Sequence, residues 1–222
     1  MDKNFLITGG AGYIGTALTK RLIDEGAQVT VFDNLETGQS KLVDIRARFF
    51  KGDVRNLADL ECICFGNEFD TVIHLAALKS VGESEKAPAN FMTVNVSGTL
   101  NVLEVMRNQK ISNLVFSSTA AVYAEKASGI YDEDCALSPL SIYGSTKLIC
   151  EELIKQYQRL GHISHSTIFR YFNLAGDSGL KFYDAYAQNI FPVIARTYLA
   201  GKEFSIFGDD YPTPDGTGVR DY

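Results

Sequence analysis

The sequence predicts an α/β fold, a doubly wound parallel sheet followed by the beginning of a smaller C-terminal region. Three observations carry that expectation. Short apolar runs recur along the chain. Amphipathic runs of helical period separate most of them. The first apolar run turns into the first helical run across Gly9-Gly10-Ala11-Gly12. Strands that alternate with helices form a parallel sheet, because each helix carries the chain back to begin the next strand in the same direction. Such a sheet is covered by helices on both faces.

The expected strands are 4–8, 28–32, 48–51, 71–75, 113–117 and 166–170. The expected helices between them are 13–25, 56–65, 89–108 and 143–160. In the first of these, Ile14, Leu18, Leu22 and Ile23 recur at helical spacing and mark the face that packs on the sheet. Residues 39–47 leave room for a short helix. The texture changes after Asn173. Gly176 to Gly179 reads as a loop, 185–200 as a helix broken or started near Pro192, and 204–207 as a short strand. Residues 208–218 form a loop rich in Gly, Pro and Asp.

The glycine turn carries the first chemical signal. Gly9, Gly12 and Gly15 stand where a strand hands over to a helix. The first N–H groups of a helix lack intrahelical partners, and its dipole favours negative charge. Glycines let the main chain turn tightly and approach a pyrophosphate closely. The second strand then runs into Asp33, eighteen residues past Gly15. An acid at about that distance accepts hydrogen bonds from the adenosine ribose hydroxyls, and its charge repels a 2′-phosphate. The expected cofactor is therefore NAD rather than NADP, within a Rossmann-type domain.

Composition narrows the class. The 222 residues are 45% apolar and carry a net charge of −6, without a long basic run, which argues against nucleic acid as a partner. No apolar run approaches the ~20 residues needed to span a bilayer, so no membrane partner and a cytoplasmic location are expected. Cys62, Cys64, Cys135 and Cys150 do not form two-residue-spaced pairs, and His74, His162 and His165 suggest no metal centre.

A second signal lies beyond strand five. Ser117-Ser118-Thr119 closes that strand, and Tyr143 and Lys147 follow at a helix start, four residues apart and so on one face. A nearby ammonium stabilises a phenolate, so Lys147 is expected to lower the pKa of Tyr143 and make it a general base near neutral pH.

Together, the runs 8–15 (TGGAGYIG), 33–35 (DNL), 51–55 (KGDVR), 76–84 (AALKSVGES), 95–99 (NVSGT), 117–123 (SSTAAVY), 143–147 (YGSTK), 169–173 (FRYFN) and 206–222 (IFGDDYPTPDGTGVRDY) resemble the extended short-chain dehydrogenase/reductase family, and within it the UDP-sugar 4-epimerases. The resemblance covers the whole chain. It implies an isomerase that inverts C4 of a UDP-hexose, UDP-glucose or UDP-galactose, through a transient 4-keto sugar with NAD as cofactor. It implies NAD contacts at Tyr13, Ile14, Asp33, Asn34, Asp53, Val54, Ala76, Lys79, Asn95 and Phe172. Thr119, with Ser118 as the alternative, would bond the sugar 4-hydroxyl. Tyr143 would be the base, and Lys147 its partner and a ribose contact. Asn173, Asn189 and Ile190 would lie along the nucleotide sugar, Ser205 and Phe207 near the uracil, and Arg220 at the diphosphate. Dehydratases of this superfamily carry an acid–base pair directly after the threonine, where this chain has Ala120 and Ala121.

Relatives of this kind continue past the 206–222 match. The resemblance thus implies an NAD-binding domain over 1–173 and a partial substrate-binding region over 174–222. A truncated, inactive or NAD-binding remnant is the alternative to an active epimerase. A homodimer through the helices at 89–108 and 143–160 is the family default.

Overall fold

Strand β1 (Asn4–Thr8) lies at the centre of a six-stranded sheet with order β3-β2-β1-β4-β5-β6. Its companions are β2 (Gln28–Asp33), β3 (Arg48–Lys51), β4 (Thr71–His74), β5 (Asn113–Thr119) and β6 (His165–Tyr171). Every pairing is parallel. This computed structural model describes residues 3–126, 129–176, 179–180, 189–206 and 208–218. The chain divides into two compact units, Met1–Tyr171 and Phe172–Tyr222.

Period-two alternation builds two cores. Leu6, Phe32, Val72 and Phe116 pack in one cluster, with Leu60 of helix α2 (Leu57–Cys64), Leu103 and Met106 of α5 (Gly98–Gln109), and Ile154 of α6 (Ile142–Arg159). Adjacent residues on three of those strands, Ile7, Ile73 and the partly buried Val115, face the other way. They join Val31 of β2 and meet Leu18, Leu22 and Ile23 of α1 (Tyr13–Asp24). Adjacent residues of a strand point to opposite faces, so one apolar run supplies both cores. The chain reverses direction across the sheet between β1 and β4, and in such folds ligands bind at that reversal, beyond the carboxyl ends of the strands.

Four expectations need correction. The helix expected at 89–108 is three pieces, α4 (Pro88–Phe91), a π-helical stretch (Met92–Ser97) and α5. Helix α3 (Val81–Lys86) was not expected, because its sequence is polar and contains Gly82. Its start was nevertheless readable: the Ser80 hydroxyl accepts from the Glu83 N–H, a Ser-x-x-Glu capping pattern. Strand β5 runs two residues further than its apolar stretch, to Thr119, because β6 continues alongside it to Tyr171. Residues 204–206 are irregular rather than a strand; they alternate as a strand would, but no described residue pairs with them. Phe207 lies outside the described residues.

In the second unit, α7 (Ile190–Leu199) begins at Asn189 and includes Pro192 in its first turn, where a missing N–H costs no intrahelical bond. No described helix is long and apolar enough to cross a membrane.

Candidate active site

The glycine turn is held between two neighbouring strands. Gly9 N–H donates to the Phe32 carbonyl at 2.8 Å, and Leu75 N–H donates to the Thr8 carbonyl at 3.0 Å. Gly9 has φ +72°, and a Cβ there would stand 2.6 Å from the Ala76 nitrogen. Gly15 serves close packing instead: a Cβ would stand 2.5 Å from the Gly10 Cα, so α1 rests directly on the turn. Gly12 caps α1 without a side chain. Tyr13 and Ile14 open the helix, half-buried. Gly9→Val is expected to lower the melting temperature by several degrees and to weaken NAD binding at least tenfold, because strain and clash coincide. Thermal melts with and without NAD check this.

A cavity of about 130 Å³ opens beside the turn. Gly9, Gly12, Asp33, Asn34, Val54 and Ala76, all expected cofactor residues, line it. Glu36, Thr37, Gly52, Leu78 and Val94 also line it and were not singled out from sequence. The signal was available, since most of them follow the ends of β2, β3 and β4.

Asp33 is buried and doubly engaged. One carboxylate oxygen accepts from Ala11 N–H at 3.0 Å and the other from Leu35 N–H at 2.8 Å. Burial pushes its pKa up, and the two N–H bonds oppose that. The residue expected at the ribose thus also fastens the glycine turn to the exit of β2. Each oxygen keeps a second lone pair for a hydroxyl donor. Asn34 donates to Asp53 at 2.9 Å. Arg55 chelates Asp53 through Nε and Nη2 and holds that carboxyl at about 2, with Asn34 adding to the effect. Lys79 sits exposed on the loop after β4.

The chemistry-bearing trio assembles at the end of β5. Gly144 lets the start of α6 press on the Ala121 carbonyl, just past Thr119; a Cβ would collide there. Ser141 caps the helix by accepting from Gly144 N–H at 3.0 Å. Ser84 and Glu85 of α3 accept the N–H groups of Tyr143 and Ile142 at 3.1 and 2.9 Å. These contacts place the Tyr143 phenol near the Thr119 hydroxyl, whose electrostatic effect favours the ionised phenol. Ser118, the alternative to Thr119, donates instead to the buried Glu151.

Lys147 is 3% exposed. Its ammonium donates to the Ser117 carbonyl at 2.7 Å and lies 4.7 Å from the Phe116 ring centroid. Burial lowers its pKa to about 8, against the pull of Cys150 and Glu151. The lowered Tyr143 pKa expected from sequence is not what the protein alone produces. Burial raises it, and the Thr119 hydroxyl opposes the rise. The physical reason is the direction of the Lys147 ammonium, which is spent on Ser117 and Phe116.

Asn95 is engaged within the protein. Its carboxamide accepts from Leu78 N–H at 2.8 Å and donates to the Leu78 carbonyl and the Thr146 hydroxyl, both at 3.0 Å. Both amide hydrogens are used inside the protein, so Asn95 shapes the cavity through Leu78. It stands in the π-helical stretch, a local irregularity that often marks functional sites. Of the remaining expected residues, Phe172, Asn173, Asn189, Ile190 and Ser205 belong to the second unit. Phe207 and Arg220 lie outside the described residues.

The residues present suit a dinucleotide: a glycine cradle that a Cβ would fill, an uncapped helix start and an acid at the second strand. Comparison with known proteins agrees. The pattern of the NAD dependent epimerase/dehydratase family matches residues 5–222. The UDP-glucose 4-epimerase of Lactobacillus helveticus is 38% identical over 221 residues, 98% of this chain and 67% of the relative. That of Yersinia pestis is 40% identical over 230 residues, again 98% of this chain and 68% of the relative. A crystal structure of a UDP-glucose 4-epimerase superposes with a TM-score of 0.94 at 38% identity, over 99% of this chain and 68% of the other. The Brucella ovis UDP-glucose 4-epimerase, solved in complex with NAD, gives a TM-score of 0.87 at 34% identity, over 96% and 66%. The chain thus spans about two thirds of the length of these relatives, and it belongs to the NAD dependent epimerase/dehydratase family.

Proposed function

We propose that this chain carries the cofactor and proton-transfer machinery of a UDP-hexose 4-epimerase, interconverting UDP-glucose and UDP-galactose. The observation that carries the reading is the placing of Tyr143, at the start of α6, with a buried Lys147 one helical turn along it bonded to the Ser117 carbonyl, two residues before Thr119 closes β5. Bound there, NAD would supply the hydride acceptor and donor for C4 of the sugar. The glycine turn and Asp33 would hold its diphosphate and adenosine ribose, with Asn34, Asp53, Val54 and Ala76 around the base. Thr119 orients the 4-hydroxyl, and Tyr143 takes its proton and later gives it back. Lys147, one turn along α6, would contact the cofactor ribose. Positioning and proton transfer are the protein's share of such chemistry.

The roles that the resemblance implies for Lys79, Phe172, Asn173, Asn189, Ile190, Ser205, Phe207 and Arg220 go with this proposal, as does pairing of two copies through α5 and α6. A second reading, NAD binding without turnover, is favoured by the chain's spanning 67% and 68% of the relatives' lengths. Incubating the 222-residue protein with NAD and UDP-galactose separates the two. The epimerase reading expects UDP-glucose to form without net NADH. NAD binding with no UDP-glucose formed selects the second reading.

A further inference from the structure

We propose that Glu151 is a positioning residue for Tyr143 and Lys147: clamped by Arg170 in the interior, it fixes the stretch that carries Thr119 against α6 and keeps the Lys147 side chain in its ammonium form. The inference rests on the reading of Tyr143 and Lys147 given above.

Geometry makes the case. Tyr143, Lys147 and Glu151 follow one another at four-residue spacing along α6 and share a face. Glu151 is fully buried. One of its oxygens accepts from Arg170 Nε at 3.0 Å and from the Ser118 hydroxyl, and the other accepts from Arg170 Nη2 at 2.7 Å. Arg170 stands opposite Ser118 in the β5–β6 ladder. It donates onward to the Tyr123 hydroxyl at 3.2 Å and to the Glu133 carbonyl at 3.3 Å. Its guanidinium also lies 5.0 Å from the Tyr123 ring centroid. Ser118 precedes Thr119 and Tyr123 follows it by four residues. One ion pair therefore grips the chain on both sides of Thr119.

Charge gives the pair its second role. A buried ion pair is often no more stabilising than apolar residues of the same volume, so its retention invites a reason beyond stability. The groups facing Lys147 are His74 from β4, Phe116 and the Ser117 carbonyl from β5, and Cys150 and Glu151 from α6. His74 is held neutral, with a pKa pushed down to about 3 by burial and by Lys147 itself. Glu151 and Cys150 are the groups that favour the ammonium against burial. Glu151→Gln keeps the shape but deletes the carboxylate. Of the two groups that favour the Lys147 ammonium against burial, only Cys150 then remains.

Titrating Lys147 by NMR in the full chain, with labelled lysine and Lys147→Met for assignment, tests this. The expected result is a fall of about one pH unit in the Lys147 midpoint on Glu151→Gln, a tenfold change in its proton affinity. The alkaline limb of the turnover profile should fall with it. Should Glu151→Gln alone fail to fold, the paired Glu151→Gln, Arg170→Gln protein removes both charges at constant shape and should show the same direction of change. An unmoved Lys147 midpoint in whichever variant folds overturns the proposal, and reduces Glu151 to cement. A moved midpoint with an unmoved turnover profile upholds the proposal and counts instead against the catalytic reading of Lys147.

Discussion

Tyr143→Phe is expected to cut the interconversion of UDP-glucose and UDP-galactose by a factor of about 10²–10⁴, the range for loss of a positioned acid–base group. The substitution removes one oxygen. The ring stays, and the Ser84 and Ser141 contacts that set the start of α6 are made to main-chain N–H groups and survive. Thr119 keeps its bond from Ala121 N–H at 3.2 Å. NAD affinity should therefore change by only a few-fold. Turnover by stopped-time chromatography of the two UDP-sugars, alongside NAD titration, reads both quantities. A variant that retains most of its turnover removes Tyr143 from the role of base.

His74 sets the second large effect, on stability against acid. Its imidazole lies between two threonines, with the Thr8 hydroxyl 2.6 Å from Nδ1 and the Thr99 hydroxyl 3.0 Å from Nε2. Thr99 donates its single proton to the Asn95 carbonyl at 2.6 Å. It must then accept from Nε2–H, which leaves Nδ1 bare to accept from Thr8. This hydrogen-bond set fits a neutral ring. Burial, with Lys147 adding repulsion, lowers the pKa to about 3 from the ordinary 6.5. Between those values the unfolded chain binds a proton that the folded chain refuses, so stability falls as pH falls. The slope is about 1.4 kcal/mol per pH unit. From pH 7 to pH 4.5 the loss from this residue is about 2.5 kcal/mol, a large share of a typical net stability. Urea unfolding at the two pH values, for the parent and for His74→Gln, isolates it. The glutamine amide can serve both threonines and does not titrate. Equal acid losses in the two proteins would sink the assignment.

Much of this molecule was legible from sequence because the signals are local. Phe5-Leu6-Ile7 before a glycine turn, Asp33 at the next strand end, and Tyr143 four residues before Lys147 can each be read within a short window. What escaped depends on distant partners. That the Asn95 amide joins Leu78 to Thr146, the latter 51 residues away, could not be read from its own window. Glu151 looks like any helix glutamate until Arg170 and Ser118 close on it. The pKa of Tyr143 was misjudged for the same reason, since spacing shows which face Lys147 shares but not that its ammonium turns to Ser117. The π-helical stretch was invisible because helical periodicity continues across it, with the chain only slightly widened.

That stretch bears on how two parts of the site are joined. Asn95 ties both ends of the Leu78 peptide and the Thr146 hydroxyl into one joint, and Thr146 in turn donates to the Tyr143 carbonyl at 2.7 Å. Four hydrogen bonds thus join the wall of the cavity after β4 to the helix that carries Tyr143. A pull on that wall is therefore felt at the helix that carries Tyr143, whose main-chain carbonyl closes the chain of bonds.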